Sequence, residues 1–183
     1  ESTMYNPTEQ FAEISKANVA QATKFAALSF ENAEKLVKFN LGAAKVALAQ
    51  SVESAQAVAA VKDVQDLMAL RTKLAEAQVQ SAVGYSRHLY ELATEAQAGY
   101  SALAEEAFGS YTKGMAAWVD KASKSAPAGS DVAVNAFKST IAATTAAFDQ
   151  FQKASKQVVS LADANVRAAA ATASKAAKGR KAA

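Results

Sequence analysis

The chain has 183 residues, a formal net charge of +3 and no cysteine, so it is long enough for one ordinary domain, and disulfides and thiolate chemistry are excluded. Alanine accounts for 48 residues, whereas glycine (7) and proline (2) are scarce. This composition favours helix, because alanine loses no side-chain entropy in a helix and helix breakers are rare. The segment from Arg167 onward has a net charge of +5, and the rest of the chain has a net charge of −2, which together give +3. Only the end of the chain is therefore basic.

The first predicted helix begins at Asn6, which can cap it, with Pro7 at the first helical position, and it extends to about Ala59. Residues 1–6 are read as an N-terminal extension, and residues 1–3, which precede a methionine, are candidates for vector-derived sequence. The N-terminus has no basic segment followed by an apolar one, as a signal peptide would. No apolar run approaches the roughly 20 residues that span a bilayer.

This first helix has two apolar stripes when residues are advanced by about 100° each. One stripe contains Phe11, Phe25 and Phe39 and is interrupted by Asn18 and Asn32. The second stripe lies at roughly 120–180° from Phe25 and contains Val19, Phe30, Val37, Leu41, Leu48 and Val52. A helix with a single neighbour needs one stripe. The second stripe is therefore expected either to be buried in an oligomer or to adsorb to an apolar surface, and periodicity alone does not separate the two.

A turn is predicted near residues 60–62, because Asp63 and Asp66 suit the start of a second helix. This helix is expected to extend to about Ala107, to break or kink at residues 108–114, where Gly109 and Gly114 lie, and to resume to about Lys124. Residues 125–130, which read SAPAGS, form the clearest predicted loop.

The last helix, predicted from about Asp131 to Thr172, has the most regular pattern, with apolar residues at alternating steps of three and four. This heptad pattern predicts self-association through Phe137, Ile141, Phe148, Phe151 and Val158. Residues 173–183 lack large apolar side chains and are expected to form a mobile basic tail of alanine and lysine. The predicted fold is all-α, with long amphipathic helices in antiparallel hairpins of coiled-coil character.

No pattern predicts a catalytic residue, a metal ligand set or a cofactor site. His88 is the only histidine and is interpreted as a surface residue beside acidic ones. Trp118 is expected to pack in a core or interface, with a position at an apolar–water boundary as the alternative. The basic tail could neutralise phosphates, but it is short and lacks aromatic residues, so nucleic-acid binding is not favoured.

The chain resembles the phasins, the coat proteins of bacterial polyhydroxyalkanoate granules. The resemblance covers nearly the whole chain in order and rests on four segments: EQFAEISKANVAQATKFAALSFENAEKLVKFNL, KDVQDLMALRTKLAEAQ, YSRHLYELATEAQAGY and KSAPAGSDVAVNAFKSTIAATTAAFDQFQKASKQ. Residues 7–172 would then form the phasin-like helical domain. The long lysine-alanine-proline repeats of the histone-like granule proteins are absent, which weakens a DNA-tethering role.

The resemblance implies a non-enzymatic cytoplasmic protein that binds the surface of polyhydroxyalkanoate (polyhydroxybutyrate) granules and controls their size, number and separation. It also implies homo-oligomers and a contact with the polyhydroxyalkanoate synthase as a further partner. The predicted granule-binding residues are those of the second stripe, joined by Phe25 and Phe39 if the bundle opens. The alternatives are an oligomeric coiled-coil scaffold or chaperone-like protein and, less favoured, DNA association through the tail.

Overall fold

A computed structural model describes residues 6–179 of the chain, apart from the side chains of Pro7 and Ala177. Three helices occupy almost all of this range: α1 (Pro7–Ala59), α2 (Val64–Ser125) and α3 (Asp131–Gly179). Residues 6–179 contain no strand. The all-α prediction is therefore confirmed.

Two helices begin at the predicted caps. The Thr8 amide donates to Asn6 Oδ1 over 3.1 Å, and the Asp66 amide donates to Asp63 Oδ1 over 2.8 Å. Each carboxyl or amide oxygen satisfies one of the free N–H groups in a first helical turn. In the loop between α2 and α3, Gly129 has a φ of 100°, a left-handed conformation that glycine adopts without steric cost.

The predicted break at residues 108–114 is wrong, because α2 continues through Gly109 and Gly114 without interruption. A glycine inside a helix costs only about 1 kcal/mol. Packing on either side outweighs this cost: the Phe108 ring stacks on Phe148 with centroids 3.9 Å apart, and Val119 is buried. The last helix is also longer than predicted, since α3 continues beyond Thr172 to Gly179.

The mobility expected of residues 173–183 stays a prediction. Residues 180–183 lie outside the described residues, as do residues 1–5 of the predicted N-terminal extension.

The chain divides into two compact units, and each contains parts of all three helices. Unit 1 consists of Glu1–Leu28 and Ala98–Leu161. In unit 1 Phe25 lies against Tyr100, with ring centroids 5.2 Å apart, and Lys24 forms an ion pair with Glu106. The earlier residue of α1 thus contacts the later residue of α2, as expected when two helices pack antiparallel.

The pairing of α2 with α3 in unit 1 is also antiparallel. Lys156 Nζ lies 2.7 Å from Glu105 Oε1, and Lys138 Nζ lies 2.9 Å from Asp120 Oδ1. Trp118 contacts the edge of Phe137 at a centroid distance of 6.4 Å. Trp118 therefore packs between helices, although it remains 40% exposed.

Unit 2 consists of Ser29–Gln97 and Ala162–Ala183. Here Lys35 Nζ lies 2.6 Å from Glu95 Oε1, and Gln50 Nε2 donates to Ser81 Oγ over 2.8 Å. Phe39 packs on Tyr85 between these two polar contacts, with ring centroids 5.0 Å apart. The α1 and α2 segments of unit 2 therefore also form an antiparallel pair.

Full burial of side chains is rare in the part of the chain that the structure describes. Within residues 6–179, Val119 is the one hydrophobic side chain that is buried, at 3% exposure. The helices therefore pack through a thin contact layer rather than around a deep core.

The close contact of Leu28 with Gly99 gives a test of this layer. A Cβ at Gly99 would lie 3.1 Å from Leu28 Cδ1, whereas a Cβ at Gly42 would have no neighbour within 4 Å. We expect Gly42→Ala to raise the free energy of unfolding by about 0.5–1 kcal/mol through helix propensity. Gly99→Ala should gain clearly less, because Leu28 must move. Urea unfolding of both variants checks this, and equal gains would contradict the contact.

The ion pair of Asp120 with Lys138 predicts a pH dependence of stability. The hydrogen bond and the charge of Lys138 hold the pKa of Asp120 below its ordinary value of 3.8. Since the folded-state pKa is the lower one, the ionised Asp120 stabilises the fold above pH 3.8, and this contribution is lost as the pH falls through the lowered pKa. The effect is small, because both groups are exposed.

We therefore expect the stability difference between the wild type and Asp120→Asn to shrink as the pH is lowered from about 6 to about 2. In a Lys138→Met background the same substitution should show a much weaker pH dependence. Thermal unfolding of the four proteins across this pH range gives the comparison. A pH dependence that persists undiminished without Lys138 would rule out the pair as its source.

Candidate functional site

In unit 2, the half-buried residues of α1 mark the face that packs on α2. They recur at helical spacing and include Asn32, Lys35, Phe39 and Ala43. Lys35 lies at the edge of this face, where its ammonium bonds to Glu95 and, at 2.9 Å, to Glu31. The hydrogen bond from Lys35 to Glu95 raises the pKa of Lys35, and the hydrogen bond to Glu31 raises it further.

The opposite side of α1 in unit 2 carries five large apolar side chains, which we call the α1 outer stripe. At about 100° per residue the stripe is centred about 170° from the packing face. Its side chains are exposed by 51% to 77%: Phe30, Val37, Leu41, Leu48 and Val52. Val19, which the sequence placed on the same stripe, lies in unit 1 and is 66% exposed.

Charged residues flank the α1 outer stripe on one side only. Glu34 and Lys38 form an ion pair of 2.6 Å there, and the hydrogen bond from Lys38 lowers the pKa of Glu34. On the other side the helix carries mainly alanine and serine, such as Ala33, Ala44 and Ser51. The stripe is therefore a continuous apolar strip with a charged border along one edge.

The two aromatic residues predicted to join the stripe on opening are in contact with α2. Phe25 is 56% exposed and packs on Tyr100, whereas Phe39 is half-buried between Tyr85 and His88. Phe11, from the same predicted stripe, is 74% exposed. The first stripe is thus covered only in part, and participation of Phe25 and Phe39 in binding stays a prediction.

The two amides of the first stripe differ in environment. Asn18 is exposed, while the Asn32 Nδ2 atom is buried and has no hydrogen-bond partner. A buried unsatisfied donor costs about 1–3 kcal/mol. Asn32 therefore weakens the contact of α1 with α2 inside unit 2.

The predicted heptad pattern of α3 is divided between two sides of the helix in unit 1. Ile141 and Phe148 are half-buried, and Phe148 stacks on Phe108 of α2. Phe137 is 40% exposed, Phe151 67% and Val158 68%. The structure thus brings Ile141 and Phe148 into the packing layer and leaves Phe151 and Val158 outside it.

Leu161 is an exposed apolar residue that the heptad reading missed; it is 65% exposed. It is out of heptad register with Phe151 and Val158 but lies on the same side of α3. The distribution of charges around α3, rather than the spacing of apolar residues, would have revealed it.

His88 is 64% exposed with Nδ1 at 3.6 Å from Glu91 Oε2, as expected of a surface histidine. Within residues 6–179 no group of three or more His, Cys, Asp and Glu side chains could hold a metal ion. A groove of about 460 Å³ in unit 2 is lined mainly by leucines and valine and contains one charged group, Arg71.

In the part of the chain that the structure describes, none of the helices has the length and apolar character needed to cross a membrane. The apolar residues are instead arranged as strips along helices that also carry charges. The fold and these faces define an all-α protein built from long amphipathic helices.

A comparison with protein families identifies the family of this chain. The family described as Phasin protein matches residues 9–108, more than half of the chain. The chain therefore belongs to the phasin family, a family of polyhydroxyalkanoate granule-associated proteins. Neither the curated proteins nor the solved structures gave a significant match. The matched segment contains nearly all of α1 and α2 up to Phe108, and α3 lies outside it.

Asn32 provides a test of how firmly α1 is held. Asn32→Leu should raise the free energy of unfolding by about 1–2 kcal/mol, because it removes an unsatisfied buried donor and keeps the same branched side-chain shape. Asn18→Leu, the matched change at an exposed position, should shift it by less than about 0.5 kcal/mol. Chemical denaturation followed by circular dichroism measures both. Similar effects at the two positions would show that the buried Asn32 amide does not destabilise the packing layer.

Proposed function

We propose that this protein is a non-enzymatic cytoplasmic coat protein that adsorbs to polyhydroxyalkanoate granules through the α1 outer stripe. By covering the polymer it would control the size, number and separation of the granules. The observation that carries the proposal is the exposure of five large apolar side chains, 51% to 77%, on the side of α1 that faces away from α2. Membership of the phasin family supports the same partner.

The chemistry of a polyester surface suits such a strip. The polymer is apolar and its ester groups are not held in one geometry, so adsorption depends on the apolar area that is spread over it. Burying a large aliphatic or aromatic side chain contributes roughly 1.5–3 kcal/mol when it is complete. Several side chains docking together can therefore offset the loss of translational and side-chain freedom on binding.

The charged border of α1 would remain in water while the stripe is adsorbed. Glu34 and Lys38, together with Glu31 and Lys35, keep their ion pairs on that side of the helix. A hydrated layer of such charges on each granule would oppose the fusion of two coated granules. The number and separation of granules would follow from this repulsion.

We include self-association in solution as a second part of the proposal, through the predicted set Phe137, Ile141, Phe148, Phe151 and Val158. The supporting observation is the exposure of two members of this set, Phe151 at 67% and Val158 at 68%, which isolated monomers would leave in water. Ile141 and Phe148 would contribute indirectly, because they pack α3 against α2 and so hold in place the helix that carries Phe151 and Val158.

Replacing the α1 outer stripe tests granule binding. The variant Phe30→Ser/Val37→Ser/Leu41→Gln/Leu48→Gln should lose co-sedimentation with purified polyhydroxybutyrate granules, because it removes most of the exposed apolar strip. Circular dichroism should show that it remains helical. The matched control, Glu31→Gln/Glu34→Gln/Lys38→Gln/Lys45→Gln, changes four positions of the same helix outside the stripe and should bind like the wild type.

A helical stripe variant that co-sediments as well as the wild type would refute this assignment. Suppression of the aggregation of unfolded proteins in the absence of polymer would instead favour the scaffold or chaperone-like alternative. Loss of salt-sensitive DNA retention on removal of Lys175 onward would favour a role for the basic end.

A further inference from the structure

The outer side of α3 in unit 1 is an apolar face outside the segment that matches the family. Phe151, Val158 and Leu161 are exposed by 65% to 68%. Thr140 and Thr144 lie on the same side of the helix, when residues are advanced by about 100° each. We call these five residues the α3 outer face.

Charges are completely segregated from this face. The unit 1 part of α3 has five charged residues, and they fall within an arc about 60° wide: Asp131, Lys138, Asp149, Lys153 and Lys156. The centre of that arc lies about 180° from the centre of the α3 outer face. The packing layer with α2, marked by Ile141 and Phe148, lies between the two.

The hydroxyl groups on the face are satisfied within the helix. Thr140 Oγ1 donates to the Ala136 carbonyl over 3.0 Å, and Thr144 Oγ1 donates to the Thr140 carbonyl over 2.9 Å. Their donors therefore need no partner from outside, and the threonine methyl groups complete the apolar surface. Covering the face with a surface that offers no hydrogen-bond donors would accordingly cost little.

The composition of the face does not favour pairing with another helix in one fixed register. Helices that pair in one register flank their apolar seam with charged residues, which select the partner and its orientation. Beside Phe151 and Val158 the chain places Ala147, Ala154 and Thr144 instead. An uncharged apolar side opposite a compact charged side is the pattern of a helix that lies on an apolar surface.

We propose that the α3 outer face is a second polyester-contacting face, which adsorbs to the granule in addition to the α1 outer stripe. This inference rests on the proposed function, because it takes the granule polymer as the occupant. Contacts between copies through the same face would lack charges that fix a register, and the larger apolar surface of a granule would displace them. The part of the chain outside the family match would thereby contribute directly to coating.

The absence of cysteine allows a direct test. Single variants Phe151→Cys and Lys153→Cys are labelled with bimane, a fluorophore whose emission shifts to shorter wavelength when it leaves water. On addition of purified polyhydroxybutyrate granules, the label at position 151 should shift to the blue and the label at position 153 should not. Equal responses at the two positions, or no shift at 151, would overturn the proposal.

A pair of matched double variants measures the contribution to binding. Phe151→Ser/Val158→Ser should weaken partition onto granules at least tenfold, with helicity retained. Asp149→Ser/Lys153→Ser removes two side chains of opposite charge from the other side of α3 and should leave partition unchanged. Equal partition of both variants and the wild type would overturn the role of α3.

Failure of this inference is distinguishable from failure of the proposed function. If the α1 stripe variant loses binding and Phe151→Ser/Val158→Ser does not, α3 is not a granule-binding face but the proposed function stands. If neither variant loses binding, both fail. A lower mass in solution with unchanged partition assigns the face to self-association and overturns the inference. The same holds if the label at position 151 responds to phosphatidylglycerol vesicles and not to granules.

Discussion

The helices of this chain carry more apolar surface than they cover for one another. In a compact domain each helix turns one stripe toward a core and the rest toward water. Here α1 and α3 each have three sides: a packing side, a charged side and a further apolar side that remains exposed. Burial in the described part of the chain is correspondingly shallow, with Val119 alone among hydrophobic residues at 3% exposure. These exposed apolar sides are the feature on which the proposed coating of granules depends.

Aromatic side chains of neighbouring helices contact one another in the thin packing layer, and ion pairs lie along its edges. Phe25 with Tyr100 and Phe108 with Phe148 give contact in unit 1, and Phe39 with Tyr85 does so in unit 2. The interhelical ion pairs have exposed or half-exposed side chains and contribute little free energy. Their value is directional, because they favour one register of antiparallel helices. The unsatisfied Asn32 amide further limits how tightly α1 is held.

The charged residues of α1 and α3 would play the same part in the proposed adsorption. The charged border of α1 lies beside its outer stripe, and the charges of α3 lie opposite its outer face. In both cases an apolar surface can cover the large side chains without removing a carboxylate or ammonium group from water, which would be costly. The proposed binding through such faces would depend on area, so it would tolerate a polymer surface that has no fixed pattern of partners.

Sequence reasoning succeeded where the relevant interactions are local. The caps at Asn6 and Asp63, the turn between α1 and α2 and the loop before α3 depend on residues a few positions apart. The two apolar sides of α1 also followed from periodicity alone. The interruption expected at Gly109 and Gly114 was wrong, because the cost of glycine is local whereas the stacking of Phe108 on Phe148 joins residues forty positions apart.

The sequence by itself determined that this chain is helical, where its helices start and that they have surplus apolar sides. Tertiary structure decided which side of each helix is covered. Phe148 and Phe151 belong to one heptad pattern, yet Phe148 stacks in the packing layer and Phe151 is 67% exposed. Asn18 and Asn32 are similar amides in one stripe, yet only Asn32 has a buried, unpaired nitrogen. The reason is physical: periodicity defines the sides of a helix, but the register and rotation of its neighbour decide which of them is removed from water.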